Sequence, residues 1–147
     1  MSGRFAKVTI RALDSLARLL PQRDSAPAHL KTGRRGEEEA YFYLRQHGYV
    51  IVARNYRTAR SRSELDLVGW EGDTLCFIEV KTRSSRHFLP AELAVDFEKR
   101  RDLSHVARQF MRKIPDKPAF RFDIVSVYLE AGRAPDFVLF KDAFPIV

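Results

Sequence analysis

An α/β domain, a mixed β-sheet flanked by helices, is the architecture this chain predicts, and three observations predict it. Segments of helical spacing alternate with short runs of branched and aromatic residues, in the order helix, three strands, helix, then one or two strands. The second of these helices lies between strands and is long enough to carry a right-handed crossover. The length of 147 residues suits one main folded unit, and a hydrophobic fraction of 45% supplies a core without disulfides or a structural metal. The single cysteine, Cys76, sits in an apolar run and reads as a small core residue.

Residues 1–30 read as an amphipathic extension and linker, and residues 31–147 as the main domain. In the extension Phe5, Val8, Ala12, Leu16, Leu19 and Leu20 recur at near-helical spacing, Pro21 breaks the pattern, and "RDSAPAHLKTG" reads as a linker. Such a helix could dock on the domain or a partner subunit, or touch a membrane or nucleic acid. Thr32 is a candidate cap for a turn, "GRRG" reads as the entry to the next helix, Glu37, Ala40, Tyr41 and Leu44 give it one face, and Gly48 ends it. Tyr49 to Tyr56 then reads as a strand with Ile51 opposed to Val50 and Val52. Two further strands, about Glu64 to Trp70 and Thr74 to Thr82, are joined by "EGD" as a tight turn. Phe97, Leu103, Val106, Phe110, Met111 and Ile114 fit a helix that stops before Pro115. "AFRFDIVSVYL" reads as a strand, and "DFVLFKDAF" supplies a short last one.

No segment is apolar for long enough to span a bilayer, and the first residues lack a secretory signal, so a soluble cytoplasmic protein is expected. The formal net charge of +7 suits phosphate polymers or anionic membranes without choosing between them. His29, His47, His87 and His105 have no joint zinc spacing. "GRRG" lacks the spacing of a dinucleotide fingerprint and the ending of a P-loop.

The informative stretch is "SRSELDLVGWEGDTLCFIEVKTR", residues 61–83, in which charges interrupt two of the most apolar strands. Strict alternation places Leu65 and Leu67 on one face with Glu64 and Asp66 on the other, and sets Glu79 and Lys81 opposite Ile78 and Val80. A hairpin would bring Asp66 and Glu79 together at little loop-closure cost. Such residues usually face water, with a lysine neutralising its neighbours. Beneath covering helices, however, the carboxylates need a cation or hydrogen-bond donors, and paired hard oxygen ligands suit magnesium or manganese. Asp123, also in an apolar strand, could support Lys81 or Arg121.

The ordered set "GRRGEEEA", "ARNYR", "SELDLVG", "FIEVKTR" and "RFDIVSV" closely resembles the bacterial UPF0102 (YraN) family, over about Gly33 to Phe144. That family resembles the PD-(D/E)XK nucleases and archaeal Holliday junction resolvases. The resemblance implies a restriction-endonuclease-like fold and a magnesium- or manganese-dependent endonuclease that hydrolyses phosphodiester bonds in DNA, branched DNA included. It implies catalytic roles for Asp66, Glu79 and Lys81, with Glu37 and Glu64 as accessory acids, and a metal held by Asp66, Glu79, the Val80 carbonyl and Glu37. Ser63 departs from the family's glycine, as do Leu89, Leu139 and Asp142 from its glycine, histidine and asparagine. Arg34, Arg35, Arg83, Arg86, Lys99, Arg100 and Arg101 are the candidates for nucleic-acid backbone contact. RNA is an alternative polymer, and a homodimer would bring two sites together. The competing readings are a noncatalytic nucleic-acid-binding protein on the same scaffold and an assembly protein that uses the N-terminal extension.

Overall fold

The computed structural model describes residues 27–86 and 95–147; the amphipathic pattern between Phe5 and Leu20, His87 and Leu89 lie outside them. The elements run α1 (Ala28–Gln46), β1 (Val50–Tyr56), β2 (Leu65–Glu71), β3 (Thr74–Arg83), α2 (Phe97–Met111), β4 (Phe120–Tyr128) and β5 (Asp136–Phe144). One mixed sheet has the order β1-β2-β3-β4-β5. Among the described residues its one parallel pair is β3 with β4, the pair that α2 connects, and the other neighbours are antiparallel. Since parallel neighbours need a crossover, the long segment between these two strands follows from the pairing.

Each face of the sheet has its own core. Leu75, Phe77, Phe122 and Ile124 pack with Leu103 and Val106 on the α2 side. Leu67, Cys76, Ile78, Val125 and Val127 pack with Ala40, Tyr41 and Leu44 on the α1 side. The central strands are therefore buried on both faces and read as nearly continuous apolar runs, as expected of strands covered by helices.

Helix α1 begins earlier than its sequence suggests. Ala28 to Gly33, read as the end of a linker, is already helical, and "GRRG" lies inside the helix rather than at its entry. The Pro27 carbonyl accepts from the amides of Leu30 and Lys31, whereas the Thr32 hydroxyl donates back to the Ala28 carbonyl and caps nothing. Proline before a first turn loses no helical hydrogen bond, which offsets the weak propensity of the two glycines. Gly36 has a separate reason to be glycine: a Cβ there would come within 1.8 Å of the Thr82 hydroxyl oxygen. Its absence allows α1 to lie directly on β3. Gly48 ends the helix with φ of 91°, the left-handed geometry of a helix terminus.

One helix end and one strand face differ from the sequence reading. The α2 helix stops at Met111, and Lys113 and Ile114 continue it only as turn hydrogen bonds to Phe110 and Met111. At its other end the Asp96 carboxylate accepts from the Lys99 amide at 2.8 Å, a cap that closes the first turn. The last strand covers the whole of "DFVLFKDAF", Asp136–Phe144, and its pairing shifts between Phe122 and Ile124. The expected alternation in β2 also fails: Leu65 joins the α2-side core and Leu67 the α1-side core. The cause is the end of the β2–β3 ladder, whose last pair in that direction is Leu67 with Ile78.

Candidate metal site at the opening of the sheet

Where that ladder ends, Asp66 takes its place. Its Oδ2 accepts the Val80 amide at 2.7 Å, so a side chain satisfies the β3 backbone group that the next ladder bond would have used. The flanking pairs Arg54–Leu67 and Tyr56–Leu65 leave Asn55 opposite Asp66, and Asn55 has a φ of 48°. Left-handed backbone in β1 and the lost ladder in β2 thus occur at one level. A residue's N–H and C=O point to the same side of a strand, so the Val80 carbonyl opens on the same gap.

Glu79 comes to this gap from β3. Its side chain is only 7% exposed, with Lys81 Nζ at 3.3 Å and Lys99 Nζ at 3.5 Å from Oε1. Its second oxygen, Oε2, is buried and has no hydrogen-bond partner. An unsatisfied buried carboxylate oxygen is costly, which makes it informative. Asp66 is similarly uncomfortable as an anion. Burial, with the nearby negative charge of Glu79 next, pushes its carboxyl up to about 8; Glu37 acts in the same direction, opposed by the Val80 amide and Lys99.

Glu37 lies on the α1 side. Asn55 Nδ2 donates to its Oε2 at 3.0 Å, and with Val80 and Thr82 it lines an open cavity of about 490 Å³. The close approach at Gly36, one residue earlier, holds it there. Glu64 does not reach the gap as an unengaged carboxylate: it precedes β2 and pairs with Arg57 at 3.1 Å. Among the described residues no three His, Cys, Asp or Glu side chains form a complete metal cage. A magnesium ion needs none, because it keeps several waters and commonly takes one or two protein carboxylates. The orphaned Glu79 oxygen, the destabilised Asp66 anion and the adjacent Val80 carbonyl are oxygen donors of the right hardness, so the residues fit such an ion.

Two neighbours of this gap escaped the sequence reading. Lys99, a candidate there for nucleic-acid backbone contact, also reaches Glu79, because the Asp96 cap puts it in the first turn of α2. Ser126 stands beside Lys81 in the parallel register, and its buried hydroxyl has no partner. The sequence signal for Ser126 was a lone hydroxyl within "DIVSV".

The remaining basic candidates divide. Arg34 and Arg35 are exposed on α1, and Arg101 is exposed on α2. Arg83 is half-buried and its Nε has no partner. Arg86 is paired with Asp136 and stacks over Tyr128, and Arg100 donates to the Val95 carbonyl at 2.8 Å while lying over Phe144. Trp70 packs against the α2-side core. Asp123 serves Arg121, not Lys81, with 2.8 Å between Arg121 Nε and its Oδ1. Burial pushes the Cys76 thiol up to about 12, which keeps it protonated, as a core residue should be.

The mixed five-stranded sheet between two helices is an α/β, restriction-endonuclease-like arrangement, and its polar opening falls at the edge of the β2–β3 ladder. Residues 36–127 match Uncharacterised protein family UPF0102, and the chain belongs to that family. It is similar to a UPF0102 protein of Koribacter versatilis, 54% identical over 95% of this chain and 94% of the relative. A UPF0102 protein of Solibacter usitatus is 54% identical over 68% of this chain and 76% of its own length. One from Caldicellulosiruptor saccharolyticus is 39% identical over 76% and 95%. Among the described residues no helix is long and apolar enough to cross a membrane.

Proposed function

We propose that the chain is a magnesium- or manganese-dependent endonuclease that hydrolyses phosphodiester bonds in DNA, with branched DNA as its preferred form. The observation that carries this reading is the buried Glu79 Oε2, which has no partner, beside a half-buried Asp66 whose carboxyl is pushed up to about 8. Asp66, Glu79 and the Val80 carbonyl would hold the ion, with Glu37 at its outer side. When bound, such an ion supplies positive charge at a phosphate and makes water a better nucleophile at neutral pH.

The chain's own groups do the rest. Lys81 Nζ, 3.3 Å from Glu79 Oε1, is placed to donate to a water or to a phosphoryl oxygen at the gap. Lys99 brings a second ammonium to the same carboxylate and offsets negative charge entering with a substrate. The exposed arginines of α1 and α2 attract the polymer without reading its sequence. Cleavage of both strands of a branch calls for two sites, which a homodimer would supply.

Purified protein supplied with magnesium or manganese should cut branched DNA faster than duplex or single strands, and Asp66→Ala or Glu79→Ala should abolish the cutting. Genuine cleavage that survives both substitutions contradicts the reading, and RNA offered in the same assay decides the polymer. A noncatalytic nucleic-acid-binding role has one observation in its favour: two lysines already neutralise Glu79 Oε1. It requires salt-sensitive binding with no turnover under any of these metals.

A further inference from the structure

Three arginines converge on a second cavity. Between β1 and β2 the chain closes a tight turn in which the Ser61 amide donates to the Thr58 carbonyl at 3.1 Å, and the Ser61 hydroxyl accepts from the Thr58 amide at 3.1 Å. That turn presents Arg60 and Arg62 to a cavity of about 260 Å³, whose other wall is Arg101, Asp102 and His105 of α2. Arg101 and His105 are four residues apart and so share one helical face.

Arg57, Arg86, Arg121 and Arg133 each engage a carboxylate. Arg60, Arg62 and Arg101 have neither an ion-pair nor a hydrogen-bond partner among the described residues. One carboxylate, Asp102, stands against three guanidiniums, so the cavity is positive whichever state His105 adopts. Like charges gathered in excess of their counter-charge repel, and an anion relieves the repulsion. The planar fork of arginine matches phosphate oxygens in particular.

We infer that this cavity holds one backbone phosphate of a nucleic-acid strand, away from the phosphate at Asp66 and Glu79. It flanks α2, the helix whose Lys99 reaches Glu79, and the loop that forms it leads directly into β2 and Asp66. A strand anchored here is fixed in position relative to the carboxylates, so the cavity sets where along the polymer the metal site falls. The inference rests on the nucleic-acid reading above, but not on cleavage.

The test uses the full chain without metal and a fluorescent duplex DNA, with anisotropy followed across a range of salt. Arg60→Gln combined with Arg101→Gln should weaken binding roughly tenfold near physiological salt and lower the salt slope by about one, the signature of one lost phosphate contact. Restoring charge with Arg60→Lys and Arg101→Lys should recover the slope and only part of the affinity. The pair Lys113→Gln and Arg133→Gln removes the same charge elsewhere and should do less. Unchanged affinity and slope, an equal loss in the control pair, or no DNA binding by the wild type overturns the inference. So does a thermal shift given by inorganic phosphate that the double variant abolishes while DNA binding stays intact, since that marks a free-anion site. Metal-dependent cleavage is read separately: its absence removes the endonuclease and leaves a positive slope result standing.

Discussion

The sheet buries charge at two levels, and it treats them oppositely. Toward the start of β4 and level with Ile78 of β3, the fully buried Asp123 accepts from Arg121 Nε at 2.8 Å, from the Tyr49 hydroxyl at 3.1 Å and from the Asp142 amide at 3.0 Å. Arg121 continues to Glu71 at 2.6 Å, and Lys141 closes the far side of Glu71 at 2.5 Å. Hydrogen bonds from Lys141 and Arg121 hold the Glu71 carboxyl below its usual range. Further along β3, Glu79 has an orphaned oxygen and Asp66 is pushed up to about 8. The first cluster is closed by the protein's own donors and has structural work to do. The second is left open, and the proposed metal would supply the positive charge that the protein's own donors do not.

Substitution should separate the two levels by sign as well as size. Asp123→Ala strands Arg121 and the Asp142 amide, and should cost about 3–5 kcal/mol, read from denaturant unfolding. Asp66→Asn or Glu79→Gln should lower metal-dependent cleavage by about 10²–10³-fold or more. At pH 8 and above, Asp66→Asn should leave the metal-free fold as stable as before, or more so, because it removes a charge that burial disfavours and keeps an acceptor for the Val80 amide. If Asp66→Asn destabilises the metal-free protein as Asp123→Ala does, the contrast is broken.

Gly36→Ala probes how the site is held. The added Cβ meets Thr82, so α1 must shift away from β3 and carry Glu37 with it. A loss of about 1–3 kcal/mol is expected. Gly33→Ala, which meets nothing within 4 Å, should be neutral or slightly stabilising in the same helix.

The pH dependence of the metal-free protein sharpens the contrast further. Asp66 titrates about 8 when folded against an ordinary 3.8. Across that interval the folded chain retains a proton that the unfolded chain releases, so the favourable contribution is complete below about pH 4 and is lost as pH rises through about 8. Thermal midpoints should therefore fall over this range, and Asp66→Asn should flatten the fall.

The order of elements was legible because period two and period 3.6 are local signals, and most strand limits fell within a residue or two of their sequence positions. Glu79 and Lys81 were legible for the same reason, as alternate residues of one strand. What was hidden depends on non-local geometry. Alternation could not reveal that Asp66 replaces a ladder bond, so Leu65 and Leu67 were placed on one face and lie on two. Lys99 was out of view because its contact with Glu79 joins a helix to a strand through a cap formed by Asp96. The engagement of Arg86 by Asp136 and Tyr128 was equally out of reach, since the basic residue was visible and its partners were not. Gly36 showed only as helix-weakening composition until Thr82 was placed against it.

Thermal unfolding of the full chain near pH 8, with and without manganese, tests the open site most directly, compared between wild type and Glu79→Gln. At about a hundredfold excess over the dissociation constant the ion should stabilise the wild type by about 2.7 kcal/mol, with no comparable effect on Glu79→Gln. Equal stabilisation of both proteins, or none of the wild type, contradicts a metal held by Asp66 and Glu79.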